Sequence, residues 1–123
     1  MEFKTTIIGR VGRDAELKEV AGGKKVASYS VATNPTKDKT VWVKVTVWDK
    51  RAEIDAQYVK KGMLVKCEGT LQSDDQGMPR TYQKDGVTHA SNFELTAFDV
   101  KYLSKAEGTN QPAEEKQVEE IPF

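Results

Sequence analysis

Between residues 40 and 48 the chain reads T-V-W-V-K-V-T-V-W, the most regular alternation in the sequence. Successive side chains on a strand point to opposite faces, so Val41, Val43, Val45 and Val47 line one side and Trp42, Lys44, Thr46 and Trp48 the other. The valine side predicts a core. The other side is unusual for a solvent face, because two indoles about 20 Å apart at strand rise flank a lysine. Such a face suits the stacking of flat aromatic groups strung along a charged backbone. It equally suits a second apolar layer or a subunit interface.

The pattern around this strand predicts four more. Residues 5–10 form a first strand, with Gly9 and Gly12 marking bends or a bulge, and residues 15–20 continue it as a bent extension. A glycine-rich turn at 21–25 leads into a second strand, 25–33, in which Ala27, Tyr29, Val31 and Thr33 face one way. Residues 34–39, N-P-T-K-D-K, form a loop fixed by Pro35. After the Trp strand, Asp49 is placed as an N-cap and 50–60 as a helix, with Ile54 and Tyr58, and Ala52, Ala56 and Val59, at helical spacing. Gly62 stops it. A fourth strand covers 63–71, a polar excursion 73–90 contains a hairpin signal at Asp85-Gly86, and a last strand covers 91–103. On that last strand Leu95 and Ala97 share one face but Phe98, Val100 and Tyr102 the other, which requires a bulge near 97–99.

Three strands, one short helix and two strands is the order of an all-β fold, the five-stranded Greek-key barrel of the oligonucleotide-binding (OB) type, with the helix between strands three and four. A sandwich has no reason to carry that helix, and a doubly wound fold needs several. With 123 residues the chain has room for one such domain, expected over 1–104. The polar stretch 105–118 lacks periodicity and is expected to be a disordered linker. The tip, Glu119-Glu120-Ile121-Pro122-Phe123, ends on apolar groups with no evident folding purpose, and is read as a short motif for a partner.

Net charge is zero, but residues 107–123 hold five acids and one base, which leaves 18 basic and 14 acidic residues elsewhere. The sum therefore hides a mildly basic body and an acidic tail. Cys67 is the only cysteine and is expected to be a buried small residue, so no disulfide within the chain or cysteine-built metal site is available. His89 stands alone in a polar loop, a poor candidate for catalysis or metal binding. Asp74, Asp75 and Asp85 lack a convergent base or nucleophile, so no catalytic residue, metal or cofactor is expected. No run is long enough to span a bilayer and no secretory leader is recognisable at residues 1–6, so the protein is expected to stay in the cytoplasm.

Three blocks together resemble the bacterial single-stranded DNA-binding protein family. They are G-R-V-G-R-D-A-E-L-K at 9–18 followed by K-V-A-S-Y-S-V-A-T-N, then V-W-V-K-V-T-V-W-D-K-R-A-E with Y-V-K-K-G-M-L-V-K-C-E-G-T-L, and the terminal E-E-I-P-F. The resemblance implies an OB barrel that assembles as a homotetramer, associates with the nucleoid, and binds and protects single-stranded DNA with little sequence preference during replication, recombination and repair. It implies stacking of bases on Trp42, Trp48 and Tyr82. Phe123, with Ile121 and Pro122 beside it and Glu119 and Glu120 before it, corresponds to a tip that recruits replication and repair proteins. Position on the Trp face or its flanking loops makes Arg10, Arg13, Lys37, Lys39, Lys44, Arg80 and Lys84 candidate phosphate ligands. The chain departs from the family in lacking an aromatic at 34–39, in an acidic, reshaped segment at 73–79, and in Ala15 where many members have proline.

Overall fold

The computed structural model describes residues 1–104 of the chain. The expected linker and tip lie outside the described residues.

Among the described residues, eight strands and one α-helix follow in the order β1 (Thr5–Val11), β2 (Glu16–Glu19), β3 (Lys25–Thr36), β4 (Lys39–Trp48), α1 (Asp49–Tyr58), β5 (Leu64–Leu71), β6 (Thr81–Lys84), β7 (Val87–Ala90) and β8 (Phe93–Ser104), with a short 3-10 turn, Ala21–Gly23, between β2 and β3. Five of them close a barrel through the circuit β1-β5-β8-β4-β3, with β1 returning to pair with β3. All its pairings are antiparallel except β4 with β8. With α1 between the third and fourth barrel strands, this is the expected OB architecture. The short β2 extends the sheet beyond the far edge of β3, and β6 and β7 form a separate hairpin.

Alternation explains the core. Val43, Val45 and Val47 of β4 are buried against Ala27, Tyr29 and Val31 of β3, with Val65 and Cys67 of β5 and Leu95 of β8 completing the interior. Burial pushes the Cys67 thiol up to about 12, so the cysteine behaves as an inert core group. The required bulge in β8 falls at Phe98: Glu68 pairs with Asp99, and the next residue, Gly69, pairs with Ala97. The skipped Phe98 points outward, 62% exposed, while Ala97 and Val100 both stay inside. A second shift skips Leu103, so Tyr102 and Leu103 both face inward.

Some boundaries differ from those expected. The loop at 34–39 is mostly strand, because Thr36 pairs with Lys39 across a tight turn. Proline cannot donate a rung at position 35, and the Asn34 side chain compensates by donating to the Lys39 carbonyl at 3.2 Å and to Thr40 Oγ1 at 2.9 Å. Asp49 is not the N-cap. That position falls to Trp48, which makes no side-chain cap, and Asp49 turns the chain into the helix at φ 55°. The helix ends at Tyr58, where the Val59 N–H donates to the Asp55 carbonyl, and Gly62, φ 91°, makes the turn that follows.

The inward face of α1 also differs. Ala52 and the capping Val59 are buried as expected and Ile54 and Ala56 are half-buried, but Asp55 is fully buried with them and Tyr58 is 53% exposed. The Asp55 carboxylate accepts hydrogen bonds from the hydroxyls of Tyr29 on β3, at 3.1 Å, and Tyr102 on β8. Burial raises the carboxyl pKa, and the two phenols and Arg51 pull it back down. A polar clamp thus joins the helix to the barrel where the spacing suggests only apolar contact.

Candidate nucleic-acid interface

The two tryptophans of β4 are 52% and 41% exposed. Cross-strand register supplies their surroundings: Trp42 lies opposite Ala32, Lys44 opposite Ser30, Thr46 opposite Ser28 and Trp48 opposite Val26. The outward residues of β3 from Ser28 to Ala32 are thus small, and Val26, beside Trp48, is the one branched apolar side chain; this makes a shallow trough along the indoles rather than a second apolar layer. Under Trp42 the trough wall is Gly12, where an added Cβ would lie 2.5 Å from the six-membered ring. The Gly12 N–H donates to the Ser30 carbonyl at 2.8 Å, so the backbone that seats the indole is fixed to β3.

Two concavities adjoin the trough. Arg13, Glu16, Ser28, Ser30, Lys44 and Asn92 border one, and Lys44, Tyr82, Ser91, Asn92 and Glu94 the other. Lys44 stands between them, and among the described residues it makes no ion pair. Tyr82 is brought to this edge by the β6–β7 hairpin, whose Asp85-Gly86 turn has φ 53° and 76°, both left-handed as a two-residue hairpin turn requires. Its ring stacks on His89, centroids 5.2 Å apart and planes 20° from parallel.

The remaining candidate cations differ in how committed they are. Arg13 is exposed beside the trough, and Lys37 and Lys39 are exposed at the β3–β4 turn, as is Lys84 at the hairpin turn. Arg10, the register partner of Ala32, donates to the Gly62 carbonyl and Ser104 Oγ. Arg80 donates through Nε to the Ser73 carbonyl and is paired with Glu94 at 2.9 Å, which pins the reshaped 73–79 segment to β8. These two arginines have structural duties, with part of each guanidinium left over.

Two nearby residues escape notice in the sequence. Lys18 of β2 is the register partner of Val26 and so continues the Trp48 row, but nothing in a fully exposed four-residue strand signals that. His89, set aside as a lone histidine, is legible once the Asp85-Gly86 turn is taken as two residues, because counting outward pairs Tyr82 with His89.

No three of His, Cys, Asp and Glu are grouped to hold a metal ion among the described residues. Among those residues too, no helix is long and apolar enough to cross a membrane. The sequence profile of the single-strand binding protein family matches residues 2–103. The chain belongs to the single-strand binding protein family. Single-stranded DNA-binding proteins from two strains of Neisseria meningitidis are each 38% identical to it over 109 residues, covering 81% of this chain. Single-stranded DNA-binding protein 1 of Chlorobaculum tepidum is 36% identical over 108 residues, again covering 81% of the chain. The matched part spans 59% of the Neisseria proteins and 64% of the Chlorobaculum protein.

Proposed function

We propose that this protein binds single-stranded DNA with little regard to sequence and protects it during replication, recombination and repair, without catalytic activity. The reading is carried by the pair of exposed indoles on one face of β4, with Lys44 between them and small residues alongside. An uncovered indole invites a base, because every base has a flat face, and the value of about 1–3 kcal/mol per stacked base is the general one for such platforms. Trp42, Trp48 and Tyr82 supply the stacking. Phosphate neutralisation comes from Lys44, Arg13, Lys37, Lys39 and Lys84, from Lys18, and from the uncommitted donors of Arg10 and Arg80, and it weakens as salt rises.

Single-stranded DNA should quench the tryptophan fluorescence, and the Trp42→Ala, Trp48→Ala double variant should lose at least tenfold in affinity for oligo-dT, since two stacks are removed. Undiminished affinity in that variant would sink the stacking model.

We further infer that the protein works as a homotetramer in the cytoplasm, at the nucleoid. Assembly would cover outward apolar groups away from the trough, Ile8 and Phe98 among them. Its tip, Glu119 to Phe123, recruits replication and repair proteins through the Ile121, Pro122 and Phe123 side chains, with residues 105–118 as the tether. Deleting 121–123 should leave oligo-dT binding unchanged and abolish capture of those partner proteins. Equal capture with and without the three residues would refute the tip's role.

A further inference from the structure

The concavity between the hairpin and β4, about 340 Å³ in volume, has an uneven lining for a surface meant to ignore sequence. An aromatic ring, Tyr82, forms one side, and His89 backs that ring. Lys44 stands at its boundary with the neighbouring concavity, where a phosphate linking two nucleotides would lie. The rest is polar. Arg80 donates to Glu94 Oε2 at 2.9 Å and at the same time to the Ser73 carbonyl, so the carboxylate is held in place and its charge offset. Oε1 receives no donor among the described residues. Neither does the Asn92 side chain have a partner there, although Asn92 borders both concavities.

Resting on the proposed function, we infer that this concavity is a base-reading slot that favours cytosine over thymine. A pyrimidine stacked on Tyr82 turns its Watson–Crick edge, unpaired in a single strand, towards Asn92 and Glu94. Cytosine offers an N4 amino group, the natural donor to a carboxylate, and its N3 and O2 accept from the Asn92 amide. Thymine presents O4 where cytosine has N4, setting two acceptors against each other at Glu94. The slot therefore adds a local preference to a surface whose other platforms, Trp42 and Trp48, read only the flatness of a base.

The test compares the affinity of the full chain for oligo-dC and oligo-dT of equal length. Intrinsic differences between the two polymers are common to all variants, so the readout is the ratio Kd(dT)/Kd(dC) in wild type against Glu94→Gln. An amide can donate to thymine O4, and the ratio should fall about fivefold, the low end for one base contact because the slot is open to water. Asn92→Ala, which breaks no hydrogen bond among the described residues, should lower it in the same direction and guards against a hairpin loosened at Arg80. A ratio unchanged in both variants overturns the slot. Failure of the wild type to bind either polymer instead overturns the proposed function itself.

Discussion

Gly12 matters for what it lacks. The Trp42 ring occupies the volume a side chain would need there, so the orientation of the indole is set by a hydrogen atom on β1's continuation rather than by anything on β4. Because the obstructing atoms belong to a side chain, Gly12→Ala is expected to tilt the ring outward without breaking the fold. The variant should bind oligo-dT severalfold more weakly, approaching Trp42→Ala, while its thermal midpoint changes little. An affinity equal to wild type would show that the ring is placed by other contacts. Asp55 is a contrasting case at this scale: helical spacing points to Ile54, Tyr58, Ala52, Ala56 and Val59 as the apolar side, with no place on it for a carboxylate. The outcome is decided by two phenols, Tyr29 and Tyr102, 26 and 47 positions away in sequence. No local pattern announces a carboxylate that becomes buried because distant hydroxyls are waiting for it.

Among the elements, the β6–β7 hairpin depends least on the barrel. It is two strands of four residues, a size marginal on its own. Its supports are the Tyr82–His89 stack, the hydrogen bond from Gln83 to Thr88 Oγ1, and a turn whose residues both sit at positive φ. A β-branched residue tolerates φ 76° poorly, at a cost of about 1–3 kcal/mol. Gly86→Val should therefore open the hairpin alone: trypsin should cut faster after Lys84 while the unfolding midpoint of the barrel holds. Cleavage at the wild-type rate would mean that the hairpin does not depend on its turn. The Asp85-Gly86 turn was legible because two-residue hairpins carry a local chemical signature. The extension of β3 to Thr36 was not, since Pro35 and the Asn34 side chain imitate a loop in sequence while continuing a ladder in space.

For the molecule as a whole, the alternating valines, the single helix and the five-strand order suffice for an OB barrel, and the Trp row is visible before any pairing is known. What stays hidden depends on register between strands far apart in the chain. The small floor of Ala32, Ser30 and Ser28 and the place of Lys18 across Val26 from Trp48 follow from which residue lies opposite which. Register also has a consequence for how the barrel breathes. β3 and β4 share nine register pairs and β1 and β5 six, but β1 meets β3 in only two, Arg10 with Ala32 and Val11 with Val31. With the Gly12 N–H to Ser30 carbonyl bond as its one extension, that short seam is expected to open first on heating, since local unfolding favours the place where the fewest bonds must part. Gly12 lies at its end, against the Trp42 ring, so an opening there removes part of the indole's seat. If Trp42 stacks a base as proposed, bound DNA becomes a clasp across the seam: saturating oligo-dT should slow amide exchange at Val11 and Gly12, and an unchanged rate would show that the seam and the indole are independent.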